Sequence, residues 1–223
     1  MKENILNRYT SLPILLDMLG RSKITLLSPE TWEDRNDSFF IEEYKNKFKF
    51  KSVLALCFST KSETFHHWKV FSDGSSGVCI EFHREHLLES ITNDINVTVA
   101  GHIGKFRTGD VKYKWIHELE ADPPKPTDWP FIKRNAFEDE GEFRMIYESI
   151  SQEGDAKAVE FDILSIRKIT LSPWMPKSVA ETVKSIIHRN LHSAEIKVYH
   201  SSLLDNSKWK SVLERPNKSG YGQ

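Results

Sequence analysis

Short apolar runs punctuated by polar turns dominate this chain, and they predict more strands than long helices. Val53 to Thr60 (Val-Leu-Ala-Leu-Cys-Phe-Ser-Thr) is apolar almost throughout and of strand length, which predicts a central strand buried on both faces. Gly77 to Phe82 predicts a second strand, introduced by the turn residues Ser72-Asp73-Gly74-Ser75-Ser76, and the two are expected to be sheet neighbours. Further strands are expected at Lys23 to Leu27, where Ser28-Pro29 closes the run, and at Ala158 to Phe161, Ile166 to Leu171 and Glu195 to Tyr199. Ser11 is placed to cap a short helix with Pro13 in its first turn, Ile14, Leu15, Met18 and Leu19 as its apolar positions, and Gly20 as its stop. Lys177 to His192 carries Val179, Val183, Ile186, Ile187 and Leu191 at helical spacing. The prolines between Trp115 and Pro130 predict a long surface loop or lid.

Helices and strands therefore mix without regular βαβ alternation, which predicts an α+β domain built on one curved or split mixed β-sheet flanked by helices. No linker or compositional break divides the 223 residues, so 1–223 is read as one domain, with a core over about 5–212 and a disordered polar tail over about 213–223.

Composition removes several classes. The charged fraction is 28% and no stretch approaches the ~18 apolar residues of a membrane span, so a membrane protein is not expected. The N-terminus lacks the charged and apolar regions of a secretory signal. Cys57 and Cys79, both in predicted strands, fit buried reduced thiols of a cytoplasmic protein. With 31 Lys+Arg against 32 Asp+Glu there is no global basic field for nucleic acid, and the one local candidate, Glu43 to Lys51, reads better as a solvated amphipathic face. His83/His86 and His188/His192 lack a third ligand, so no metal is expected. No Walker loop and no G-x-S-x-G elbow is present.

The run Phe137 to Tyr147 stands apart. Read as a strand, it sets Glu138, Glu140, Glu142 and Arg144 on one face, with same-face neighbours only about 7 Å apart. Three carboxylates at that spacing repel one another unless water, a cation or a substrate faces them. The plain reading is a solvated edge strand with Glu142 and Arg144 paired.

Several blocks then add up to a resemblance. Arg8-Tyr9-x-Ser11-Leu12, Ile24-x-Leu26-Leu27-Ser28-Pro29, Trp32 with Asn36-Asp37-Ser38-Phe39, Cys57-Phe58-Ser59, Trp68-x-x-Phe71 with Gly77-Val78-Cys79-Ile80-Glu81-Phe82, and Lys133 ahead of Glu140-x-Glu142-x-Arg144 run in order along nearly the whole chain. Together they resemble a large bacterial family, domain of unknown function 2971. The chain departs from that pattern at Phe71, where a tyrosine is usual, and at Ser38, where a proline is usual.

The order of the ionic residues is also similar to that of ADP-ribosyltransferases, whose pattern is an arginine on a first strand, a Ser-Thr-Ser strand and a late Glu-x-Glu. The opening Arg-Tyr-x-Ser-Leu looks like the DNA-modifying toxin branch of that superfamily. This resemblance implies an NAD-using transferase or NAD glycohydrolase of toxin or phage-defence type, with NAD as substrate and a nucleic acid or protein as acceptor. It implies Glu142 as the carboxylate facing the oxocarbenium ion, Glu140 as activator of the acceptor, and Ser59 as an orienting hydroxyl. Arg8 would hold a phosphate, Tyr9 or Trp68 would stack on a base, and Asn36 and Arg144 would complete the dinucleotide site. Two other readings stay open at this stage. One is a metal-dependent nuclease using Glu140, Glu142, Asp139 or Asp37 and Lys133. The other is a non-catalytic binding module.

Overall fold

A computed structural model describes residues 4–96, 104–151, 154–190 and 196–214. In chain order the elements are β1 (Ile5–Ser11), α1 (Leu12–Arg21), β2 (Lys23–Leu27), α2 (Arg35–Phe48), β3 (Ser52–Ser59), α3 (Phe65–Phe71), β4 (Gly77–His83) and α4 (Arg84–Asn96). They continue with β5 (Gly104–Asp110), β6 (Lys112–Lys114), α5 (Ile116–Ala121), β7 (Ile132–Arg134), β8 (Glu142–Ser149), β9 (Ala156–Glu160) and β10 (Ile166–Leu171). The last are α6 (Lys177–Asn190), β11 (Lys197–His200) and α7 (Ser207–Glu214).

The architecture is α+β, with helices around one mixed sheet in the order β11-β10-β4-β1-β3-β2-β9, to which β8 adds on β3 and β5 on β8. Among the described residues only β10 and β11 pair in parallel within that sheet, and β6 and β7 form a separate parallel pair. β3 alternates its side chains between two cores. Leu54, Leu56 and Phe58 join Phe143, Met145 and Tyr147 of β8 in the main core, while Val53 and Ala55 meet Ile146 beneath Ile41 and Tyr44 of α2.

The sheet splits at one place. β1 pairs with β3 only at Asn7 and Ser59, whereas β1 with β4, and β3 with β8, pair along their full lengths. Continued pairing would set Tyr9 opposite Cys57. The strands part there instead, and the Arg8 Nη1 donates to the Cys57 carbonyl at 3.4 Å.

Several sequence expectations need correction. The acidic run is not strand from Phe137: Asn135–Glu140 is a 3₁₀ turn, Gly141 follows in the left-handed region at φ 52°, and the strand begins at Glu142. β1 lies between β3 and β4, so these two are not neighbours. Asn36-Asp37 lies at the start of α2, because the Asp34 Oδ1 caps the N–H groups of Asn36 and Asp37. That helix continues through Phe48 and so takes in most of the segment read as a solvated face. α1 runs past Gly20 to Arg21, and Ser22 takes the left-handed cap. The proline-rich segment holds α5, whose Glu118 accepts from the Trp115 N–H, and a 3₁₀ turn at Pro126–Phe131. β2 and β10 have the expected bounds. Leu191, His192 and Glu195 lie outside the described residues, as does the tail beyond Glu214. No helix among the described residues is long and apolar enough to cross a membrane.

Candidate active site

The split in the sheet is the back of a cavity of about 450 Å³. One wall is β1, which contributes Asn7, Arg8 and Tyr9, and the end of β3 supplies Cys57, Phe58 and Ser59. The opposite wall is acidic: Glu33, Asp34 and Asp37 come from the start of α2, and Glu140 and Glu142 from the turn into β8, with Lys133 of β7 between them. Trp32, Phe71 and Phe137 give the cavity an apolar lining.

The acidic wall is organised by a buried arginine. Arg144 follows Glu142 by one strand period, so it projects toward α2 and meets Asp37 in that helix's first turn. Its exposure is 0%, and its Nε and Nη2 donate to the two oxygens of Glu142 at 2.6 and 2.8 Å. Nη1 donates to Asp37 Oδ1 at 2.8 Å and to the Pro130 carbonyl at 3.0 Å, and Nη2 also donates to Asp37 Oδ2. Each of the five guanidinium N–H groups thus has a protein acceptor. The guanidinium also lies over the Trp32 ring, 4.9 Å from its centroid.

Lys133 completes the group. Its Nζ lies 2.5 Å from Glu140 Oε2, 3.4 Å from Glu142 Oε2 and 3.6 Å from Asp37 Oδ2. Three carboxylates thus share two cations. Burial disfavours charge on Glu142, but Arg144 first and Lys133 after it outweigh burial and hold its pKa at about 2. Burial dominates at Glu140 and Asp37, whose pKa values are pushed up despite Lys133 and Arg144. Burial likewise opposes charge on Lys133, yet Glu142, Glu140 and Asp37 drive its pKa above the ordinary lysine value.

Arg8, on the other wall, has the reverse character. It makes no ion pair among the described residues, and burial lowers its pKa. A partly desolvated guanidinium with one carbonyl contact is a strong site for an anion.

Arg8, Tyr9, Ser59, Glu140 and Glu142 therefore converge on one cavity. Three other expected site residues do not line it. Arg144 sits behind the acidic wall with all donors engaged, so it orients Glu142 rather than reaching a ligand. Trp68 is a core side chain at 0% exposure whose Nε1 donates to Glu63, so it offers no face for stacking. Asn36 is exposed, and its side-chain amide turns back to Asp34. Ser59 lines the cavity, but its Oγ donates to the Glu140 carbonyl at 2.7 Å, which fixes the acidic turn rather than presenting a hydroxyl. No residue between Trp115 and Pro130 lines the cavity.

Sequence reading missed His67 and Tyr113. The Tyr113 hydroxyl accepts the Glu142 backbone N–H at 2.8 Å, and the His67 ring approaches the Glu140 carbonyl. Neither carries a local signal, because both contacts join distant segments. Cys57 and Cys79 are both free, and burial raises the pKa of each. They are not neighbours: Cys57 lies beside Glu142 in the cavity, and Cys79 lies behind Tyr9 on β4.

Fold and site together define an α+β protein whose split mixed sheet opens between Arg8, which makes no ion pair among the described residues, and an acidic cluster that contains Glu142. No family model matches the chain, so the resemblance to domain of unknown function 2971 has no such support, and no curated protein matches it either. The fold is similar to solved structures of DarT from Thermus sp. 2.9. The structure in complex with ADP-ribosylated ssDNA is 12% identical, covers 90% of this chain and 95% of that one, and gives a TM-score of 0.42. The structure in complex with carba-NAD+ is 11% identical, covers 90% and 97%, and gives a TM-score of 0.39.

Proposed function

We propose that this protein cleaves the nicotinamide N-glycosidic bond of NAD and passes the ADP-ribosyl group to an acceptor or to water. The observation that carries this reading is the pairing of unlike walls, with Arg8 unpaired on one side and Glu142 ionised on the other. NAD has the matching polarity, an anionic pyrophosphate and a cationic pyridinium joined through ribose. Arg8 binds the pyrophosphate by charge-assisted hydrogen bonds. Glu142, with both oxygens oriented by Arg144, accepts from the ribose 2′-hydroxyl and stabilises the oxocarbenium ion as the bond breaks. The bonding pair leaves with nicotinamide, which departs neutral and needs no general acid. Glu140, whose raised pKa makes it a better base than Glu142, takes the proton of the incoming nucleophile. Tyr9 lines the same wall as Arg8 and gives an apolar surface to a ring.

A magnesium ion at these carboxylates would have to displace the Lys133 ammonium from Glu140 and Glu142. Calorimetry with NAD and with Mg²⁺, followed by a nicotinamide-release assay, tests the proposal. NAD should bind and be turned over without metal. Arg8→Gln should weaken binding, while Glu142→Gln should keep binding and lose on the order of 100-fold to 1000-fold in rate. Glu138→Gln alters an exposed carboxylate outside the cavity and should leave the rate unchanged. Mg²⁺-dependent activity that ignores NAD, or equal losses from the Glu138 and Glu142 variants, would overturn the reading.

A further inference from the structure

Resting on the NAD reading, we propose that His67 is a positioning residue that ties the two walls of the cavity together and holds Glu140 in place. His67 is wholly buried just behind the cavity and touches both walls. Its ring stacks on Tyr9, the neighbour of Arg8, with centroids 5.4 Å apart and planes 11° from parallel. Its Nε2 lies 3.1 Å from the Glu140 carbonyl oxygen and 3.2 Å from Ser59 Oγ, and its Nδ1 lies 2.7 Å from the Thr64 hydroxyl.

The partners fix the tautomer. A carbonyl oxygen has no proton to give, so Nε2 carries the ring proton and donates it to Glu140, and Nδ1 accepts from Thr64. The Thr64 oxygen in turn accepts the His67 backbone N–H as the cap of α3. The ring is anchored from its own helix end and aimed at the Glu140 carbonyl, with Ser59 Oγ alongside it.

That carbonyl is one of the points at which the acidic turn is held. Ser59 Oγ shares the Glu140 carbonyl, and the next carbonyl, of Gly141, accepts from the Thr60 N–H and hydroxyl at 2.8 and 2.9 Å. Packing alone would be served by any ring on Tyr9. A donor at Nε2 serves the Glu140 carbonyl and the Ser59 oxygen beside it, not Tyr9. Displacing the turn by about 1 Å would take the Glu140 carboxylate off Lys133 and cost on the order of 100-fold in rate.

The test separates ring from donor. His67→Phe keeps a ring against Tyr9 and removes the donor, whereas His67→Gln restores a donor near the Nε2 position without the ring. Nicotinamide release is measured for each, and the Glu140 carboxyl carbon is titrated by NMR with no NAD present. His67→Phe should lower kcat on the order of 100-fold at unchanged KM and move the Glu140 titration. His67→Gln should recover most of kcat and the original titration. A Phe variant with normal kcat and titration, or a Gln variant as damaged as Phe, overturns the proposal. If the unmodified protein releases no nicotinamide, the NAD reading fails by itself, and the titration still decides: movement in Phe reversed by Gln upholds positioning, and indifference rejects it. Should His67→Phe not fold, Thr64→Val removes the Nδ1 partner that orients the ring. It should lower kcat at unchanged KM, and an unaltered kcat would reject the proposal.

Discussion

Removing the Arg144 guanidinium should be far more damaging than removing any exposed cation of this protein, because it leaves Asp37 and Glu142 as buried carboxylates facing each other. Arg144→Met is expected to destabilise the fold by about 3–5 kcal/mol, read as a lower midpoint in urea unfolding. A midpoint close to that of the unmodified protein would mean that the cluster relaxes by taking up protons. The pH dependence has a definite sign. The folded pKa of Glu142, about 2, lies below its ordinary 4.5, so its contribution is fully present above about pH 4.5 and is lost as pH falls toward 2. Asp37 and Glu140, with raised values, act in the opposite sense and favour the folded state when protonated. Glu142→Gln should therefore flatten the loss of stability between pH 4.5 and 2, and an unchanged acid limb would remove Glu142 from this role. The link between Glu142 and Arg144 was legible from their two-residue spacing. The link from Arg144 to Asp37 spans 107 positions and leaves no local trace.

The turn from Asn135–Glu140 into β8 shows why the acidic run misled as an element. Alternating glutamates satisfy a strand pattern, but Gly141 takes the left-handed region at φ 52° at little cost and brings Glu140 and Glu142 to one lysine. Glycine within an apparent strand was the available signal for that break. A Cβ at Gly141 would also press on the Lys61 side chain, a neighbour that can move, so the main cost of Gly141→Ala lies in the backbone. The expected loss is about 1–2 kcal/mol of stability, with a fall in nicotinamide release from the displaced carboxylates. Circular dichroism melts and the release assay check both, and full stability with full activity would show that the turn tolerates another conformation. β2 and β10 were readable because polar turns bound short apolar runs. α2 was hidden because Asn36-Asp37 reads equally as a turn, although Asp34 two and three residues ahead is the capping signal.

At the scale of the whole molecule, the site exists because two well-paired parts of a sheet meet at a single residue pair between β1 and β3. The order of Arg8, Ser59 and Glu142 along the chain suggested that they share a cleft, but nothing local states that β1 inserts between β3 and β4. A ligand that contacts both walls replaces the missing ladder and should stabilise the fold as a unit. At 100 times its Kd, a ligand confined to the folded state contributes about 2.7 kcal/mol. For a chain of this size that is a rise of about 5–10 °C in Tm. NAD should give such a rise without added metal. Inorganic pyrophosphate at the same concentration, able to engage only the Arg8 wall, should give a smaller one. Arg8→Gln should abolish the pyrophosphate shift and reduce that of NAD, because the acidic wall then holds the dinucleotide from one side. Equal shifts from NAD and pyrophosphate would confine binding to Arg8. A flat Tm in NAD, or an Arg8→Gln variant that responds like the unmodified protein, would mean that no ligand of this kind bridges the split.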